Sequence, residues 1–379
     1  MKKIVVVSLF ILLAFGMYLA NSVVDSKAPT AIAKVNDTHV YTGTIYVAGM
    51  GGHFSAAEVR IDPSSEQTPI EVKSLDKVDI GSKDTHPTHD PRIDVADRTK
   101  MFWSTYKADK KAKGRVFHVG VSDLKSGNVI KDKALEIPER AEWIGALYCG
   151  SGQTRDSFMP ITMSNESFID VFDKKNLDLK ARVYLDNLGY KNNYFFFHGT
   201  NSPDLKNLAM TINMTEPWSQ PNTPAARLGK IDMLLLDLAA LEKGDVKVVA
   251  KNTITGSPEK TLTFRQTFTS DGKYLLQSGG DRFYLLKGDD LTLVDEEMMT
   301  DGENHDAVPT PDGKYAVLTI RKKIKTDDGK TITDGMLQLY DMQAKMVVGK
   351  PVSTCVACHK DADIVGNATL CGADVNWNL

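Results

Sequence analysis

The feature that most constrains this chain is an alternating strand that recurs six times and closes on an aspartate. The copies occupy 57–62, 116–123, 168–173, 231–237, 282–289 and 336–341, and they end at Asp62, Asp123, Asp173, Asp237, Asp289 and Asp341. Apolar residues at every second position, bounded by Asp, Gly, Ser and Lys, are strand-and-turn chemistry. A second element precedes each strand pair. It is clearest at 269–277 and 310–318, where Asp271-Gly272 and Asp312-Gly313 make tight turns and the next residues enter a strand. Weaker copies start at Ser202 and Asp97. Successive units lie about 50 to 60 residues apart, the size of a four-stranded propeller blade with generous loops. Helical periodicity is confined to short pieces such as 235–243. The pattern predicts an all-β chain with a β-propeller over residues 30–350. Six blades are counted, and a seventh closed by residues 30–48 is the alternative.

The Pro-Asp-Gly-Lys-Tyr turn at 311–315, followed by alternating strands that end in Asp, resembles the YVTN-type propellers. That group includes the propeller domain of nitrous oxide reductase and the haem-d propeller of periplasmic nitrite reductases. The resemblance covers residues 40–350 and implies a closed propeller whose funnel can build a metal or cofactor site. It specifies fold well and chemistry poorly, because propellers host many functions. Asp84-Thr-His86-Pro-Thr-His89 is similar to the segment that supplies copper ligands in nitrous oxide reductase. The adjacent His-His pair and the C-terminal cupredoxin domain are missing, so a full copper–sulfide cluster is not implied.

The histidines fall at matching places in the repeat. His305 stands ahead of Pro311-Asp312, His198 ahead of Pro203-Asp204, and His89 ahead of the strand at Met101, with His86 three residues earlier. His53 follows Gly51-Gly52. Loops ahead of innermost strands open onto a propeller's funnel. His53, His86, His89, His198 and His305 are therefore the expected funnel ligands for an additional metal ion. The competing reading makes them turn caps bonded to backbone. Asp90 and Asp306 could act as acid or base beside their histidines, whereas His118, alternating with apolar residues, reads as packed. The blade at 143–155 offers no histidine.

Beyond the repeats lies Cys355-Val-Ala-Cys358-His359, the attachment pattern of a c-type haem. Two thiols on one turn can form thioethers with the haem vinyl groups, and the adjacent imidazole can bind iron as proximal ligand. One covalent haem c is thus expected in a segment at 351–379. Only 20 residues follow His359 and none is methionine, so the usual distal ligand and helical cytochrome domain are missing. The iron is then five-coordinate, or ligated from the propeller or from a partner subunit. The tail at 360–379 is expected to fold over the haem against the propeller face. Two alternatives stand: a zinc-stapled tail using Cys355, Cys358, His359 and Cys371 on a non-redox binding module, and a disulfide between Cys355 and Cys358.

The first residues support the haem reading. Lys2 and Lys3 precede an apolar run at 4–20, and small residues follow, which reads as an export signal over 1–22. An uncleaved membrane anchor is the runner-up. Either places the body in the periplasm or outside the cell, where c-type haem is attached in bacteria. A net charge of -3 with 25% charged residues excludes a nucleic-acid binder with a basic face. Of the 4 cysteines, Cys149 and Cys371 remain outside the haem motif, either as a pair clasping the tail or as two separate thiols. The expected function is periplasmic or cell-surface electron transfer with a redox partner protein, as an oxidoreductase or its electron-transfer subunit.

Overall fold

Each Asp-terminated repeat forms the third strand of a four-stranded antiparallel sheet. The computed structural model describes residues 39–48, 51–65, 67–141, 148–162, 166–218, 225–326, 329–354 and 372–378. In chain order, the first blade holds β1 (Tyr41–Ala48), β2 (His53–Ile61) and β3 (Ile70–Asp79). The second holds β4 (Thr88–Ile93), β5 (Lys100–Thr105), β6 (Val116–Asp123) and β7 (Val129–Glu136). The third runs through β8 (Tyr148–Gln153), β9 (Ser157–Thr162), β10 (Phe168–Asp173) and β11 (Leu179–Tyr184). The fourth comprises β12 (Tyr194–Asn201), β13 (Asn207–Thr215), β14 (Arg227–Asp237) and β15 (Val248–Thr255). The fifth is β16 (Gln266–Phe268), β17 (Tyr274–Ser278), β18 (Arg282–Lys287) and β19 (Leu293–Met298). The sixth is β20 (Glu303–Pro309), β21 (Tyr315–Lys325), β22 (Thr331–Asp341) and β23 (Met346–Ser353).

The ring closes through the C-terminus. β24 (Ala373–Trp377) pairs with β1 and completes the first blade as its innermost strand, in the order β24-β1-β2-β3. The first strands then touch in a closed circuit, β24–β4–β8–β12–β16–β20 and back to β24. Six apolar clusters fill the six gaps between neighbouring blades. Arranging the blades in a ring leaves only short first-strand edges, protected at the axis, which suits an all-antiparallel architecture.

Residues 41–48 form the second strand of blade one, and the described residues make six blades with no seventh. The propeller also does not stop at residue 350, because residues 373–377 supply its closing strand. Ala373 and Val375 alternate inward to the core shared by blades one and six, and Trp377 Nε1 donates to the Pro309 carbonyl at 2.9 Å. The terminal Ala-Asp-Val-Asn-Trp is strand-patterned for that reason.

The turn aspartates act as the sequence suggests. Asp123, Asp173 and Asp341 accept backbone N–H groups two or three residues ahead, at 2.7, 2.7 and 2.8 Å. Gly272 and Gly313 sit at φ 70 and 68, where an L side chain is strained. The 235–243 stretch contains one helical turn, Leu238–Leu241, capped by Asp237. The expected export signal (1–22) and Cys355, Cys358, His359 and Cys371 lie outside the described residues. No helix among the described residues is long and apolar enough to cross a membrane.

Candidate functional site

Three of the five expected funnel histidines meet near the axis, in alternate blades. His89 is on β4, His198 on β12 and His305 on β20, all innermost strands, and none is more than 2% exposed. They lie within strands, not in the loops ahead of them. Irregular pairing accounts for how strand residues serve a site. The ladders slip between His89 and Arg92, between Tyr148 and Gly150, and between Asn304 and Asp306. Asp90 adopts φ 58, so the chain twists at that point. Such bulges re-aim side chains and are common beside functional sites.

Cys149, on β8, fills the place where the third blade lacks a histidine. Its Sγ lies 2.8 Å from His198 Nε2 and 3.9 Å from His89 Nε2. Aromatic rings back the imidazoles. Tyr106 stacks on His89 at 4.8 Å, and Phe264 stacks on His305 at 4.4 Å. The Arg321 guanidinium lies over the Phe264 ring at 4.8 Å. His305 Nδ1 lies 3.0 Å from Asp306 Oδ2, which fixes the ring.

Beside the imidazoles runs a buried ionic chain. Arg265, 1% exposed, pairs with Asp90 and, at 3.2 Å, with Asp306. Arg92 reaches Asp90 at 3.3 Å and Ser151 at 3.3 Å. From the closing strand, Asp374 accepts the Ile93 N–H at 2.8 Å. Burial holds all three imidazoles well below the usual histidine range, helped by Arg265 in each case, so they are neutral at neutral pH. Burial also raises the Asp90 and Asp374 carboxyls and lifts Asp306 to about 6, against the pull of Arg265 on each. Neutral imidazoles and a thiol offer lone pairs to iron or another borderline metal, and hydrogen-bonding groups to a polar substrate.

The sequence reading missed Arg92, Arg265 and Asp374, and it weighed Cys149 as a disulfide partner or a separate thiol, not as part of the axial site. Arg265 sits in an ordinary strand-like run, Thr-Leu-Thr-Phe-Arg-Gln, and no motif marks it.

The other two expected funnel ligands go elsewhere. His53 opens β2, the third strand from the axis, and its carbonyl accepts Thr88 Oγ1 at 3.2 Å. His86 lies on blade two against His118, with ring centroids 4.1 Å apart. Asp132 of β7 joins both: His86 Nε2 lies 2.9 Å from its Oδ2 and His118 Nδ1 lies 2.9 Å from its Oδ1. His118 is therefore more than packing. Among the described residues, this is the group of three His, Cys, Asp or Glu side chains whose ligand atoms all fall within 4.8 Å of one another.

Fold and axis together define a six-bladed β-propeller with a polar, histidine-rich centre. No protein-family profile matches the sequence, and no curated protein matches it. Solved structures do resemble it. A chain of the nidogen–laminin complex is similar over 88% of this chain and 98% of its own, at 12% identity and TM-score 0.50. A Lactobacillus plantarum protein is similar over 88% and 99%, at 9% identity and TM-score 0.50. Hydrazine synthase from Kuenenia stuttgartiensis is similar over 71% and 67%, at 15% identity and TM-score 0.45. At such identities the likeness is one of fold.

Proposed function

We propose that the chain is an exported haem c propeller that transfers electrons outside the cytoplasm. In this reading Cys355 and Cys358 carry the haem and His359 is the proximal ligand. The observation that carries it is where the motif's connection ends. Residues 355–371 join β23, the outer strand of blade six, to β24, the innermost strand of blade one. Gly372, next after Cys371, packs on the axial ions. A β-carbon there would collide with the Arg265 guanidinium and come within 3.1 Å of the Asp90 Cα. The N–H groups of Gly372 and Ala373 also point at Asp306. The connection that carries the motif thus leaves the outer strand of blade six after Thr354 and returns at Gly372 beside the axial ions, which supports a haem used near His89, Cys149, His198 and His305.

Donor chemistry supports the reading, because buried imidazoles kept neutral are in the form that ligates iron or accepts a proton. Haem would supply one-electron transfer. The chain's own part is to exclude water, hold His305 through Asp306, and keep the Arg265–Asp90–Asp306 charges fixed. A redox partner, or a subunit giving a distal ligand, completes the proposal.

Pyridine haemochrome spectra and intact mass of protein exported with the haem-attachment machinery test this reading. A haem spectrum and a haem mass increment that vanish in the Cys355→Ala/Cys358→Ala variant are expected. Bare-polypeptide mass for the exported wild type would overturn it.

A further inference from the structure

We infer that His86, His118 and Asp132 form a binding site for one divalent transition-metal ion, Zn²⁺ by its donor set, on blade two and apart from the axis. Three observations converge. The first is donor placement. His86 Nε2 and His118 Nδ1 both face the Asp132 carboxylate at 2.9 Å. Two ligands of a tetrahedral zinc at about 2.0–2.1 Å stand about 3.3 Å apart, so each His–Asp pair would open by a few tenths of an ångström, and the three ligand atoms already lie within 4.8 Å of one another.

The second is the far side of each ring. A metal-ligating histidine usually donates its other N–H to an oxygen, which sets tautomer and orientation. His86 Nδ1 has Thr85 Oγ1 at 2.9 Å, and His118 Nε2 has Asp109 Oδ2 at 3.6 Å. Asp109 is itself anchored, since its Oδ1 accepts the Lys111 and Ala112 N–H groups at 2.7 and 3.3 Å. His86 can therefore turn a lone pair toward Asp132 while its other nitrogen stays bonded, and His118 Nε2, which makes no hydrogen bond at this distance, faces the Asp109 carboxylate as its charge partner.

The third is rigidity with one open side. The His86 ring packs against Gly81, where a β-carbon would come within 2.8 Å of its Cγ, and edge-on to Trp103 at 6.0 Å. His118 is held on β6, its N–H bonded to Thr105 Oγ1 at 2.9 Å. The His86 and His118 side chains are 14% and 10% exposed, but Asp132 is 34% exposed. The site has three protein ligands and an approach from solvent, the pattern of zinc sites that keep a water ligand. Two nitrogens disfavour Ca²⁺ and Mg²⁺, which take oxygen ligands, and without a thiolate the set is a poor match for Cu⁺.

Without metal, Asp132 is a shared acceptor. Burial works against its charge, but the hydrogen bonds from His118 and His86 outweigh this and hold the carboxyl well below the usual range. Burial likewise opposes the His118 charge, and Asp132 and Asp109 overcome it, raising its pKa. An imidazole ligates only in its deprotonated form, so uptake should weaken on acidification.

The test is calorimetric titration of the chelator-stripped, full-length protein with Zn²⁺ alone, repeated on variants of confirmed fold. One equivalent should bind the wild type. Affinity should fall at least about 100-fold in both His86→Gln and Asp132→Asn, and about 10- to 100-fold in Asp109→Asn. No saturable uptake by the wild type would overturn the proposal. So would uptake unchanged in both ligand variants, or uptake lost only on Cys371→Ser, which would put the zinc on the tail. None of these outcomes depends on whether haem is attached.

Discussion

At the scale of single residues, the axis is a packed core that happens to be polar, and its histidines should behave accordingly. His305 is stacked on Phe264 and bonded to Asp306, so His305→Ala leaves a cavity and an orphaned carboxyl. It should destabilise the fold by about 2–4 kcal/mol in denaturant titration, well above the near-neutral effect of a loop substitution. The titration behaviour gives a second check. The folded pKa of His89 is depressed, first by burial and then by Arg265. Its stabilisation is therefore present above about pH 6.5, the unfolded value, and is lost as pH falls below it. One such group contributes a slope of up to about 1.4 kcal/mol per pH unit. Between about pH 6.5 and 5.5, unfolding free energy should fall less steeply in His89→Gln than in the wild type. Parallel curves would show that His89 is not buried neutral. Asp306 runs the other way. Its carboxyl is raised to about 6, so its contribution is full at low pH and is lost as pH rises through that value.

At the scale of elements, the repeated strand and its turns were legible because they rest on local chemistry. Period-two alternation, a turn aspartate and an Asp-Gly pair each act within a few residues, and β2, β6, β10, β14, β18 and β22 lie where the repeats predict. Gly313 sits at φ 68, and a β-carbon added there would meet only ordinary contacts, the nearest atom being 3.8 Å away on Thr269. Gly313→Ala should cost about 1–2 kcal/mol, read as a drop in melting temperature, from backbone strain alone. What the sequence concealed depends on long-range assembly. Nothing local says that 373–377 belongs to the first blade, because the pairing of Val375 with Ile45 spans almost the whole chain. Nor does a run such as Thr-Phe-Arg-Gln announce that Arg265 will sit between Asp90 and Asp306. His89, His198 and His305 were found from their shared place in the repeat. His86, three residues from His89 in sequence, packs instead against His118 and Asp132, a neighbourhood that sequence proximity does not reveal. Removing residues 373–379 should strip blade one of its inner strand and expose the β1 edge. The expected result is aggregation or loss of cooperative unfolding; an unchanged melting transition would contradict the ring closure described here.

At the scale of the whole molecule, six inter-blade cores joined in a circuit leave no weak seam, and the 39–378 body should unfold in one transition. Two separated transitions, each confined to one half of the ring, would argue against a single closed propeller. The same closure links the proposed electron-transfer segment to the axis. The connection carrying the Cys-Val-Ala-Cys-His motif runs from blade six and returns at Gly372, against Arg265 and beside Asp306. The most direct measurement is the intact mass and pyridine haemochrome spectrum of the protein after export alongside the haem-attachment machinery. The account predicts one covalent haem per chain, lost when Cys355 and Cys358 are both replaced by alanine. A wild-type chain with the mass of bare polypeptide and no haem spectrum would contradict it.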